Sequence, residues 1–251
     1  MKKLTVLFIC ISAIISFAGC HLQIEISGHE TEAETILNER QIEILREEDL
    51  PTDFGRLTYT QQKAITAIET MLSYLDEKYD DEFAYAGYIA ESVLEPEQLI
   101  AYKKGTSDFD CFTVTTTENG YEDNYIESAA SPLFSEYIYD LVKGLCPNTE
   151  MRVYARITAT DLTEIPAEKA LFDGTTEGSI LVFLDGQTCD EARYANVLAV
   201  FEQLMKEHKI YCSAQMIRTK NDVITDLTRY NYTDYLSEEY YSDRERIYVR
   251  K

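Results

Sequence analysis

The chain predicts an α+β fold: a largely antiparallel sheet packed by two or three amphipathic helices. Apolar residues recur at helical spacing in Ala64, Ile65, Ile68, Met71, Leu72, Leu75 and Tyr79, and again in Tyr194, Val197, Leu198, Phe201, Leu204 and Met205. Met151, Val153, Ala155, Ile157 and Ala159 alternate with Arg152, Tyr154, Arg156 and Thr158, the period of a half-buried strand. Strand-like segments outnumber helical ones and often follow one another directly, which favours antiparallel pairing.

The N-terminus reads as an address. Lys2 and Lys3 precede an apolar run from Leu4 to Phe17, which ends in Phe17-Ala18-Gly19-Cys20. A cationic head, a short apolar core and small residues are the layout of a secretory signal. The core is shorter than the ~20 residues a spanning helix needs. The ending resembles the lipobox of bacterial lipoproteins, with Phe17 where that family more often has Leu. The resemblance covers residues 1–20 alone. It implies cleavage after residue 19 and a diacylglycerol thioether on Cys20, placing the protein on the extracytoplasmic face of the cell membrane. Residues 20–56 then read as a lipidated tether. Ile36, Leu37, Ile44 and Leu45 predict a short surface helix within it, ended by Leu50-Pro51.

Thr58 and Gln61 form a capping box ahead of the first strong helix. Strands follow at Phe83–Ala90, Gln98–Lys103 and Phe109–Thr117. Asn119-Gly120 is a hairpin signal, with Tyr121–Glu127 as the returning strand. Ser131-Pro132 predicts a helix start, with Ser as the cap and Pro at the first position. Leu133, Phe134, Tyr137, Ile138, Leu141, Val142 and Leu145 form its stripe, and Pro147 stops it. The alternating strand at 151–159 closes a first half, residues 57–160. Residues 161–178, with Ile165-Pro166, Asp173-Gly174 and Gly178, form a linker loop. Residues 179–251 make a second half, continuous with the first or separate from it.

In the second half, Ile180–Leu184 is unbroken apolar, as in a strand covered on both faces. Thr188 and Glu191 have capping-box spacing ahead of a helix to about Lys209. Ile210, Cys212, Ala214 and Met216 alternate with polar residues as a further strand, and Arg246–Arg250 suggests a last one.

Charge limits the partners. The chain holds 23 Lys and Arg against 45 Asp and Glu, a formal charge of −22. Removing residues 1–19 takes Lys2 and Lys3 and no acid, leaving 21 against 45, or −24. That field repels nucleic-acid backbones, whose binding depends on cationic side chains. It also repels anionic headgroups, so the lipid must hold the protein at the membrane. A neutral or cationic envelope partner suits the charge.

No catalytic motif stands out. There is no Gly-x-Gly-x-x-Gly, Walker loop or Gly-x-Ser-x-Gly. His21 and His29 fall in the tether, and His208 extends an apolar stripe near a helix C-terminus, a structural position. Cys189 would sit in the first turn of a helix, but Asp190 and Glu191 oppose a thiolate there. Cys212 reads as a small buried hydrophobe, and the helix between rules out its bridging to Cys189. Cys111 and Cys146 stay undecided between thiol and disulfide. The acids Asp76, Glu77, Asp80, Asp81 and Glu82, and Glu118, Glu122 and Asp123, read as solvated charge, with no calcium loop among them. No metal or other cofactor is expected.

Nineteen tyrosines and no tryptophan are the remaining feature. Tyr230, Tyr232, Tyr235, Tyr240, Tyr241 and Tyr248 crowd a charged tail, and Tyr240 and Tyr241 are the candidate ligand contacts. The reading is a lipid-anchored, acidic α+β module that binds a ligand or partner of the cell envelope. The alternatives are an envelope hydrolase using paired carboxylates and a structural surface lipoprotein.

Overall fold

Thr58 caps α2 (Tyr59–Tyr79) with a reciprocal box: its side chain accepts from Gln61 N–H, and Gln61 returns a bond to the Thr58 N–H. Ile65, Ile68, Met71, Leu72 and Leu75 line the buried face of this helix. The computed structural model describes residues 36–107, 110–169, 172, 175–220 and 222–251. The signal segment, Cys20, His21, His29 and Phe109 lie outside the described residues. Among those described, no helix is long and apolar enough to cross a membrane.

Two four-stranded sheets organise the described residues. The first is an antiparallel meander of β1 (Phe83–Ile89), β2 (Gln98–Lys103), β3 (Phe112–Thr117) and β4 (Gly120–Asp123). Helix α2 and α1 (Glu39–Glu47) share a core with it. At its heart the rings of Phe83, Phe112 and Tyr125 meet with centroids 4.9 to 5.6 Å apart, spacings that suit edge-to-face attraction. Helix α1 is more than a surface helix on a tether. Ile44 and Leu45 are buried, and Arg40 forks onto Glu69 and Asp76 of α2. Accordingly the compact unit begins at Leu37 and runs to Lys251, across both the proposed tether boundary at 56 and the loop at 161–178.

The second sheet runs β5 (Met151–Thr160), β6 (Thr176–Asp185), β7 (Ile210–Thr219), β8 (Tyr241–Val249). Helix α4 (Glu191–Glu207) crosses between β6 and β7, and that pair is parallel; the other two pairs are antiparallel. Helices α3 (Tyr125–Leu145) and α4 cover one face through Phe134, Ile138, Val142, Val197 and Phe201. On the other face, Phe183 and Ile217 meet Val223, Ile224 and Leu227 of the segment around α5 (Val223–Asp226). This double cover accounts for the continuous apolar run at 180–184. The α+β class is as expected.

Local departures have physical causes. Thr117 pairs with Gly120, so Glu118 and Asn119 form the hairpin turn and Gly120 takes the positive φ of 123°. The returning strand stops at Asp123, because helix α3 begins at Tyr125, seven residues before the expected first position, Pro132. Pro132 lies inside α3, and Ser131 Oγ donates to Glu127 O at 2.6 Å in the same turn. Helix α4 is capped by Asp190, whose side chain accepts from Arg193 N–H at 2.8 Å. Thr188 bonds Asp185 and the Glu150 N–H instead. Leu198 and Leu204 are half-buried where Tyr194, Val197, Phe201 and Met205 are covered, so the buried face of α4 keeps the expected centre but is narrower than expected.

Candidate functional site

Alternation along β5 sets the site. Val153 and Ala155 join the core shared with α3, while Tyr154 and Arg156 project to the opposite side. Strand β5 is the outer strand of its sheet. Along its free edge lies a cleft of about 610 Å³, within the range of small-molecule sites. Ser128, Ser131, Pro132 and Ser135 of α3 form one wall. Arg156, Ser179 and Leu181 of β5 and β6 form the floor with Tyr154. Asp110 and Cys111, ahead of β3, close one end.

The remaining wall is the tail. Asn231 shapes it, accepting from Thr228 N–H at 2.7 Å and donating to Asp226 O at 2.9 Å. A 3-10 turn at Tyr232–Tyr235 follows. The Tyr232 ring then stacks on Tyr154, with centroids 5.1 Å apart and planes at 19°. Arg229 lies over the Tyr230 ring at 5.5 Å and pairs with Asp110 at 2.5 Å, a contact that ties the tail to the loop before β3.

Two electrostatic features distinguish this cleft. Among the described residues its lining holds Arg156 and Arg229 against one carboxylate, Asp110, in a chain whose acids outnumber its bases almost two to one. Among the described residues, the Arg156 side chain has no hydrogen bond or ion pair. Moreover, the Tyr154 hydroxyl is buried without a hydrogen-bond partner among the described residues, and burial pushes its pKa above the usual phenol value. Such a group is costly to bury unsatisfied, by about 1–3 kcal/mol.

The expected contacts Tyr240 and Tyr241 sit elsewhere in the same tail. Both are half-buried against the Phe183 and Ile217 cluster, and Tyr240 packs on Tyr235 with centroids 4.9 Å apart. The cleft takes Tyr230, Tyr232 and Thr233 instead. Arg156, Arg229 and Asp110 escaped the sequence reading because they come from three distant segments. The one local signal was the row Arg152, Tyr154, Arg156 on the polar side of a strand.

The other candidates are structural. His208 caps the C-terminus of α4, and its Nδ1 lies 2.7 Å from the Tyr137 hydroxyl. Cys146, Cys189 and Cys212 are buried. Burial raises all three thiols, Cys212 to about 12. Asp76, Asp81 and Glu82 pair with Arg40, Lys103 and Lys104. Asp123 has a fully buried side chain bonded to Lys78, Tyr79, Tyr74 and the Tyr125 N–H. Burial pushes this carboxyl up, but those hydrogen bonds outweigh it and hold the pKa below the ordinary value. Among the described residues no group of three or more His, Cys, Asp or Glu could hold a metal ion.

No family model matches the chain, and no curated protein matches it. Among solved structures, it is similar to a crystal structure of a DUF5037 family protein from Ruminococcus gnavus ATCC 29149. The identity is 13%, the TM-score 0.35, and the match covers 64% of this chain and 78% of the other.

Proposed function

We propose that the protein is a lipid-anchored binding module of the cell envelope, held to the membrane through Cys20, with its ligand seated in the cleft beside β5. The observation that supports binding is the cleft itself. It gathers tyrosine faces and serine and threonine hydroxyls at a place where distant segments converge. Rings and hydroxyls of this kind orient a polar ligand while covering its apolar faces. A hydrolase using two carboxylates has less support, because among the described residues the cleft is lined by one carboxylate, Asp110. The lipobox at 17–20 supports the anchor.

Two experiments test the reading. Membrane fractionation of cells expressing Cys20→Ser should find the chain released or unprocessed; fractionation and migration identical to the parent would remove the anchor. A thermal-shift panel of saccharides and short peptides, run on the full chain in non-ionic detergent, should give at least one stabilising ligand. That shift should fall in Tyr232→Ala. A panel without a hit, or a hit indifferent to Tyr232→Ala, would count against the cleft.

A further inference from the structure

Arg229 and Asp110 face each other across one end of the cleft, 2.5 Å apart, and both side chains are partly open to solvent. Exposed pairs of this kind are weak, at about 0.2–1 kcal/mol, so a better-placed anion can replace the aspartate. The second guanidinium, Arg156, is already uncommitted among the described residues and lines the same cleft. Guanidinium groups present a planar fork that matches a carboxylate. We propose that the cleft takes an acidic sugar, a polyhydroxylated ring bearing a carboxylate. Its carboxylate displaces Asp110 from Arg229 and engages Arg156, and its ring lies against Tyr230 and Tyr232.

Three observations narrow the class. The net positive lining stands out in a protein of charge −22, so the cleft is locally suited to an anion although the surface as a whole favours cationic partners. The hydroxyls of Ser179 and Thr233 line the cleft on exposed residues and can bond sugar hydroxyls. A volume of about 610 Å³ suits one or two sugar rings rather than a long chain. Carboxylate and ring recognition together favour an acidic sugar over a neutral one.

This inference rests on the binding-module reading, and the test separates the two. Calorimetric titration of the full chain in non-ionic detergent compares galacturonate with galactose, which differ in the carboxylate. Galacturonate should bind and galactose should not, with affinity falling as salt rises. Arg229→Gln and Arg156→Gln should each weaken galacturonate binding by about tenfold to a hundredfold, the worth of a charge-assisted hydrogen bond. Asp110→Asn removes the competing anion and should strengthen it, by up to about fivefold. A purely structural pin gives a different pattern, because losing either partner would loosen the tail and both changes would act in the same direction. Weaker binding in Asp110→Asn, equal binding of the two sugars, or binding of neither would overturn the acidic-sugar inference. The peptide and neutral-saccharide arms of the thermal-shift panel would still decide the broader reading.

Discussion

Ser135 Oγ accepts a hydrogen bond from the Ala155 N–H at 2.9 Å and lies 3.1 Å from the Ala155 carbonyl oxygen. One helix turn earlier, Ser131 Oγ accepts from the Ile157 N–H at 3.0 Å. Two serines of α3 thus take the place of a neighbouring strand along the free edge of β5. An open edge invites pairing with other chains, and a covering helix is one way to prevent it. The same contact positions α3 as the wall of the cleft. Ser135→Ala leaves a covered N–H unsatisfied and should cost about 1–3 kcal/mol. Urea unfolding checks it, and a midpoint unchanged within error would mean that this contact does not hold the edge.

The buried face of α4 can be tested by contrast. Phe201→Ala removes a fully buried ring and should cost about 3–5 kcal/mol. Leu198 is half-buried beside the same core, so Leu198→Ala should cost less than the roughly 2–5 kcal/mol of a fully buried leucine. Equal losses in chemical denaturation would contradict the place of Leu198 at the margin of the buried face.

Asp123 links pH to stability. Its folded pKa is depressed, so the stability it contributes is present above the unfolded carboxylate range, near pH 4. That contribution is lost as pH falls through the lower folded value. Unfolding free energy should therefore drop on acidification below about pH 4. Asp123→Asn should flatten this slope while lowering stability at neutral pH. A parallel pH profile in the variant would show that other carboxylates set the acid limit.

Burial also decides the thiols. Cys212, raised to about 12, and Cys189 are buried in the folded chain. Thiolate is the reactive form, so neither should take up iodoacetamide at neutral pH until denaturant is added. Rapid native labelling of either cysteine, read by mass spectrometry, would place it in an open environment.

Much of this fold was legible because its elements bury one regular face. The alternation of Met151 to Ala159 maps onto β5, and the Thr58–Gln61 box opens α2 as read. Less was legible where tertiary contacts override local signals. Ser131-Pro132 resembles a helix start, but the Ser131 hydroxyl is drawn to β5 and the helix passes through the proline. Arg40 reads as one charge in a solvated stretch, although it anchors α1 to two acids of α2, 29 and 36 residues away. The tyrosine-rich tail stands out in the sequence, yet which of its rings line the cleft depends on the Asn231 turn. No periodicity encodes that turn, so Tyr232 was passed over in favour of Tyr240 and Tyr241.

Hydrogen-exchange mass spectrometry of the full chain, with and without galacturonate, tests the central claim most directly, since it maps where a ligand acts. Slower exchange should appear in the segments carrying Tyr154 to Arg156 and Arg229 to Thr233. The segment of Tyr240 and Tyr241 should stay unchanged. Protection confined to Tyr240 and Tyr241, or no protection beside β5, would contradict the assignment of this cleft as the binding site.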